Sequence, residues 1–175
     1  TECGLVEVSG DPASIDYEKM YYSRYQVLRL AFARFDAGSE KRYAKFVKKN
    51  SSWLEDYALY MAVKDHFEGK PFTEWDKDIR LRKKKAVVRY KEQLSRETDF
   101  YKFMQYCFFR QWKKLKKYAN KKGIEIIGDI PIYVAFDSAD TWANPQMFQL
   151  DDAGLPIAVA GCPPDAFSAT GQLWG

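Results

Sequence analysis

The sequence predicts an α/β fold: a long, mainly helical region, then one strand of the parallel type, then irregular loops. Three observations carry this. Apolar residues recur at threes and fours through most of residues 17–120, the helical period. Gly123 follows a lysine-rich stretch, where a helix commonly ends in a left-handed glycine. The run Ile124-Glu125-Ile126-Ile127 comes directly after it, short and β-branched, the mark of a largely buried strand. Helix, glycine cap and buried strand in succession form the second half of a βα repeat.

The elements follow in order. Residues 1–16 read as an irregular lead-in with a turn at Ser9-Gly10-Asp11-Pro12. Tyr21, Tyr25, Leu28, Phe32 and Phe35 mark a helix over 17–35. A second helix over 39–50 is expected to be capped by Ser39, with Tyr43, Phe46 and Val47 on one side. Ser51 or Ser52 is expected to cap a third, whose apolar set is Trp53, Leu54, Tyr57, Ala58 and Met61. Gly69-Lys70-Pro71 stops it. Residues 72–79 read as a loop. Residues 82–120 read as two basic helices joined near Ser95. The second has an apolar stripe of Phe100, Phe103, Met104, Cys107, Phe108, Trp112, Leu115 and Ala119, expected to face the core.

Asp129 falls just past the end of the predicted strand that begins at Ile124, and Pro131 prevents that strand from continuing as an interior partner. In parallel α/β folds, (β/α)8 barrels above all, side chains at this edge face the active site. Residues 137–145 hold cap residues and room for a single helical turn. Residues 149–156 read as a hairpin with Gly154 at the left-handed position, and 157–161 as its return strand. Cys162-Pro163-Pro164-Asp165 leaves in extended form. Residues 167–175 form a small-residue loop with exposed aromatics, the usual place for binding residues beyond a barrel strand.

Composition excludes several classes. With 46% apolar and 30% charged residues, the 175-residue chain has the make-up of one globular domain and not of a disordered segment. No apolar run approaches membrane-spanning length, and the first thirty residues lack a signal peptide's apolar stretch, so the expected location is the cytoplasm, away from the membrane. The chain starts at Thr1 and stops at Trp174-Gly175 without a terminating cap, and is expected to be a section of something longer. Cys3, Cys107 and Cys162 are too scattered for a disulfide framework or a zinc site. His66 is the one histidine, so neither a His-based metal site nor a Ser-His-Asp triad can be assembled here. No metal or cofactor is expected.

Charge is divided by segment. Residues 80–122 carry sixteen basic and three acidic groups, while residues 123–175 carry seven acidic groups and no Lys or Arg. The basic middle follows helical spacing and has no nucleic-acid recognition motif beside it, so it reads as a solvated helix face. The last third has no cation to hold phosphate or carboxylate. It does have Asp129, Asp137, Asp140, Asp165, Asn144, Gln172, Tyr133, Trp142, Phe167 and Trp174. Rings that cover apolar sugar faces, with carboxylates and amides for hydroxyls, suit a neutral polyhydroxy ligand.

Several separate motifs then occur in one order: Gly128-Asp129-Ile130-Pro131-Ile132-Tyr133-Val134-Ala135, Asp137-Ser138-Ala139-Asp140-Thr141-Trp142-Ala143-Asn144-Pro145, Val159-Ala160-Gly161-Cys162-Pro163-Pro164-Asp165 and Phe167-Ser168-Ala169-Thr170-Gly171-Gln172-Leu173-Trp174-Gly175. They resemble the amylomaltase, or 4-α-glucanotransferase, family of α-amylase-like (β/α)8 enzymes. Trp53-Leu54-Glu55-Asp56-Tyr57-Ala58 and Phe108-Phe109-Arg110-Gln111-Trp112 resemble its helical region. The resemblance implies a segment of a (β/α)8 TIM barrel with helical insertions. Residues 1–122 would be the insertion region, residues 123–175 a barrel strand with the glucan-binding loop, both within one larger catalytic domain.

The activity implied is transfer of an α-1,4-glucan segment between maltooligosaccharides by a retaining mechanism. A carboxylate attacks C1, an acid protonates the leaving oxygen, and an acceptor 4-hydroxyl replaces water. That stereochemistry places two carboxyls roughly 5–5.5 Å apart. The family's catalytic carboxylates lie in motifs this chain lacks, so none is assigned here. Asp129 matches a site-shaping aspartate of the third barrel strand. Asp165, Phe167, Gln172 and Trp174 match the loop over the glucan groove. Ala166 stands where many relatives carry Tyr, and Ala169 where some carry Glu, which removes one aromatic and one polar sugar contact. The alternative reading is a carbohydrate-binding module without chemistry.

Overall fold

The computed structural model describes residues 13–174. The expected turn at residues 9–12, Cys3 and Gly175 lie outside the described residues. The helices are α1 (Tyr17–Ala33), α2 (Lys41–Lys49), α3 (Ser51–His66), α4 (Lys77–Arg80), α5 (Lys84–Gln93), α6 (Ser95–Lys121) and α7 (Ala139–Ala143). Single 3-10 turns sit at Phe72–Glu74 and Pro145–Met147, and two short strands close the chain, β1 (Gly161–Cys162) and β2 (Gln172–Leu173).

α3 is the axis of the core. Leu54, Ala58, Leu59, Tyr60, Ala62 and Val63 are buried, on nearly every side of the helix. This is why the narrower apolar set expected from the sequence holds only Leu54 and Ala58 and misses the other four: a helix enclosed on most sides shows no stripe. α6 packs along α3, with Phe100 and Tyr101 fully buried. α1 covers α6 through Phe32, whose ring lies 5.5 Å from Phe100 and from Phe103. α2 adds Tyr43 and Phe46 against Tyr106, at 5.4 and 5.6 Å. Residues 72–79 are built into this core and are not a loop. Trp75 and Ile79 are buried, and the Trp75 indole donates to the Lys70 carbonyl at 3.1 Å.

Helix ends are closed by local chemistry. Asp16 caps α1, accepting from the Lys19 amide at 2.9 Å. α2 is capped by Glu40 and not by Ser39, because the Asp36 carbonyl takes the Ser39 hydroxyl and the Glu40 carboxylate reaches the Arg42 amide. Asn50, and neither Ser51 nor Ser52, takes the cap position before α3, and its side-chain oxygen accepts from the Trp53 indole at 3.3 Å instead of from a helix amide. α5 and α6 break at Leu94, as the join expected near Ser95 requires. At the end of α6 the Ile124 amide reaches the Ala119 carbonyl and the Gly123 amide the Asn120 carbonyl, while Gly123 takes φ 75°. This is a Schellman closure, and the positive φ is why glycine stands there. His66 ends α3, edge-on to Phe67 and Tyr90.

Two expectations are corrected. The stripe of α6 is core only in its first half. Phe108, Trp112 and Leu115 are exposed, because α1 to α3 cover only part of a 27-residue helix. At about 1.5 Å per residue, the second half runs well beyond them. The run 124–129 does not form a strand: it has no ladder partner, and Ile127 is 93% exposed. A parallel strand is made by hydrogen bonds to neighbouring strands, and among the described residues none lies beside it. The described residues are therefore mostly helical, with one two-stranded antiparallel ladder among them. No helix among the described residues is long and apolar enough to cross a membrane. Cys107 and Cys162 are free and half-buried, and burial pushes the Cys107 thiol up.

The fully buried ring between α1 and α3 gives a test. Phe100→Ala in the full-length protein is expected to cost about 3–5 kcal/mol, read as an earlier urea midpoint, because it leaves a cavity that rigid helices cannot close.

Candidate functional site: the segment after residue 123

The last third is fastened to the helical core at one carboxylate. Asp137 accepts from the Tyr60 hydroxyl at 2.5 Å, from the Phe72 amide at 3.1 Å and from the Lys64 ammonium. Tyr60 and Lys64 are one turn apart on α3, so both reach the same point. Burial alone would push the Asp137 carboxyl up, but the hydrogen bonds from Lys64, Tyr60 and Phe72, with the Lys64 charge, hold it below its ordinary value. Burial and the bond to Asp137 push the Tyr60 phenol well up, so Tyr60 remains the donor.

α7 makes the second attachment. Ser138 caps it, accepting from the Thr141 amide at 3.3 Å. Trp142 is buried between Tyr60 and Trp75, each ring 5.8 Å away, and donates to the Ile79 carbonyl at 3.0 Å. The Arg82 guanidinium lies 4.4 Å above its ring and pairs with Asp56 at 2.8 Å. Asp137 and Trp142, both sugar-contact candidates by composition, are thus taken up in packing.

Two hairpins follow. The first turns at Asp151, whose carboxylate accepts from the Ala153 and Leu155 amides, both at 2.9 Å. Gly154 takes φ 77°, and a bridge joins Leu150 to Pro156, as the expected hairpin requires. The expected return strand at 157–161 is reduced to Gly161 of β1. In the second hairpin, Gly161 pairs with Leu173 and Cys162 with Gln172. Asp165 shapes its turn, one oxygen accepting from the Phe167 amide at 2.9 Å and the Ser168 amide at 2.8 Å. Gly171, at φ 71°, passes so close to the other arm that a Cβ would sit 2.5 Å from the Cys162 carbonyl oxygen.

Side chains gather on this hairpin. The Trp174 indole N–H donates to the Gln172 side-chain oxygen at 3.0 Å, and its backbone amide to the Ala160 carbonyl at 2.8 Å. The Tyr133 ring stacks on Trp174, with centroids 5.4 Å apart and planes 25° from parallel. Phe167 is 96% exposed at the tip. Asp165, Phe167, Gln172 and Trp174 therefore share one hairpin. Asp129 stands apart, exposed, one of its oxygens accepting from the Ile130 amide at 2.8 Å. No hydrogen bond or ring contact joins it to the other four among the described residues. No three metal-ligating side chains gather among them either.

Comparison with known proteins bears on what this surface belongs to. The profile of a family described as 4-alpha-glucanotransferase matches residues 4–175. The chain belongs to that family. It is 49% identical over 162 residues to the 4-alpha-glucanotransferase of Clostridium butyricum, covering 92% of this chain and 33% of that one. The 4-alpha-glucanotransferase of Streptococcus pneumoniae is 50% identical over 172 residues, covering 97% and 34%. The solved amylomaltase of Streptococcus agalactiae, in complex with acarbose, superposes with a TM-score of 0.88 at 41% identity, over 95% of this chain and 34% of that one. The chain thus spans about a third of the length of these 4-alpha-glucanotransferases.

Sequence reasoning missed the Tyr60–Lys64 grip on Asp137. The spacing of the two on one helix was the available signal, but nothing local shows that their partner lies more than seventy residues away. It also treated Tyr133 as a ligand contact and missed its stack on Trp174.

Two outcomes test this account. Asp137→Asn is expected to destabilise the full-length protein by about 2 kcal/mol at neutral pH, because a hydrogen-bonded charge is lost. A carboxyl depressed by folding contributes stability above its unfolded value and loses it as pH falls through the folded one. The difference between wild type and variant should therefore shrink below the ordinary carboxylate value of 3.8, as followed by denaturation across pH. Gly171→Ala should disrupt the second hairpin, since both its φ and the 2.5 Å approach exclude a Cβ. Faster proteolysis between β1 and β2 would register this.

Proposed function

We propose that the protein to which this chain belongs transfers α-1,4-glucan segments between maltooligosaccharides by a retaining mechanism, as a cytoplasmic 4-α-glucanotransferase. The observation that carries this is the family match across residues 4–175, which includes every motif of the last third. Maltooligosaccharides and other α-1,4-glucans are its substrates. Residues 1–122 serve as helical insertions of a (β/α)8 barrel and residues 123–175 as a barrel strand and groove loop, both parts of one catalytic domain. The run at 124–129 becomes a buried strand once flanking strands stand beside it.

The hairpin acts as a wall of the glucan groove. Phe167 and Trp174 offer ring faces to the C–H faces of glucose units. The Gln172 oxygen is held by the Trp174 indole, and its amide nitrogen brings two donors to sugar hydroxyls. Asp165 spends one oxygen on its own turn, and the other accepts from a hydroxyl. Asp129 shapes the floor. The absence of Lys and Arg from residues 123–175 fits a neutral ligand. The attacking carboxylate and the proton donor come from elsewhere in the protein.

The test is direct. The full-length protein incubated with maltotriose is expected to release glucose and form longer chains with little net hydrolysis. The 175-residue chain alone is expected to form neither product. Binding of maltooligosaccharide by the full-length protein without transfer would favour the carbohydrate-binding module instead.

A further inference from the structure

We propose that Tyr133 is a positioning residue that sets the Trp174 ring as a sugar platform, and so tunes glucan affinity without touching the glucan's reacting atoms. This rests on the glucan-groove reading of the hairpin. Trp174 is held in three ways. Its backbone amide is bonded to the Ala160 carbonyl, and its indole N–H to the Gln172 side-chain oxygen. The first holds the main chain and the second one edge of the indole, which leaves the ring free to tilt about that edge. The third hold is the Tyr133 ring, stacked 25° from parallel at 5.4 Å, the one aromatic ring in contact with Trp174 among the described residues. A stack covers one face of an indole, and Trp174 keeps 43% of its surface open. One covered face and one open face is the arrangement a sugar platform needs, because the apolar side of a pyranose must meet a ring that does not swing away.

The stack also joins two pieces of chain that no hydrogen bond or other ring contact links among the described residues. Tyr133 lies four residues after Asp129, in the segment that leads to the Asp137 anchor. Trp174 follows β2 at the far end of the second hairpin. The Tyr133–Trp174 contact therefore sets the distance between the Asp129 side of the site and the hairpin that carries Asp165, Phe167 and Gln172. Tyr133 is itself half exposed, so removing its ring opens no core cavity. Its effect is separable from stability, unlike that of Trp142 or Asp137.

The experiment compares wild type, Tyr133→Ala, Tyr133→Leu and Tyr133→Phe in the full-length protein. Acarbose binding is measured by calorimetry, maltotriose transfer by product analysis, and melting temperature alongside. An aromatic stack contributes enough to weaken binding about 3- to 10-fold when lost. Tyr133→Ala should therefore weaken acarbose binding and raise KM by about that factor, with kcat and melting temperature close to wild type. Tyr133→Phe keeps the ring and should restore both. If the alanine variant does not fold, Tyr133→Leu is expected to show the same loss, since it fills space without a ring face. Unchanged acarbose affinity in the folded Ala or Leu variant overturns the proposal, as does a phenylalanine variant as weak as Ala. A fall in kcat with KM unmoved also overturns it. Wild type that binds acarbose without transferring glucan overturns the transferase reading and leaves the affinity comparison to decide the role of Tyr133.

Discussion

One carboxylate holds the two halves of this chain together. Asp137 sits in a pocket formed by a phenol, an ammonium and a backbone amide, all from the helical region, and it belongs to the segment that carries the site. A partly buried charge stays only where its partners outweigh the water it gave up, and here three donors do so. The rest follows from that fixed point. Trp142, five residues on, can reach the slot between Tyr60 and Trp75 because Asp137 has already placed the chain beside α3. The residues between Gly123 and Asp137 are then held at both ends, by the Schellman closure of α6 and by the carboxylate.

The helices were legible because their signals are local. Periodicity, an end glycine and a break near Ser95 are read within a few residues, and the structure shows helices where these signals stand. The caps of α2 and α3 were less so. Ser39, Glu40, Asn50, Ser51 and Ser52 all suit a helix start, and which one caps depends on where the preceding turn points its carbonyls. The run at 124–129 illustrates a different limit. Its residues carry the propensity, but a ladder is a property of at least two segments, and no segment pairs with it among the described residues.

The site divides in the same way. Asp, Tyr and Trp in an otherwise cation-free stretch announce a polar aromatic surface. Composition does not say which of them turn inward. Asp137 and Trp142 point into the core and Asp165, Phe167, Gln172 and Trp174 gather on a hairpin, although all six occur in similar company. The difference is made by partners far away in sequence: Tyr60, Lys64, Phe72 and Ile79. Gly161 and Gly171 were the nearer clue, since both stand where the two arms pass too close for a side chain.

The bare second half of α6 and the unpaired isoleucines after it have a consequence for the protein before it is finished. During synthesis this region emerges with a β-prone stretch that has no neighbours, the kind of segment that pairs with other chains. It is bracketed. Lys113, Lys114, Lys116, Lys117, Lys121 and Lys122 crowd its upstream side, while Asp129 and Pro131 close the downstream side. Repelling charge on one flank and a residue that cannot join a ladder on the other are gatekeepers against self-association. The basic stretch, which in the folded chain is a solvated helix face, thus flanks the β-prone run and opposes its pairing with other chains.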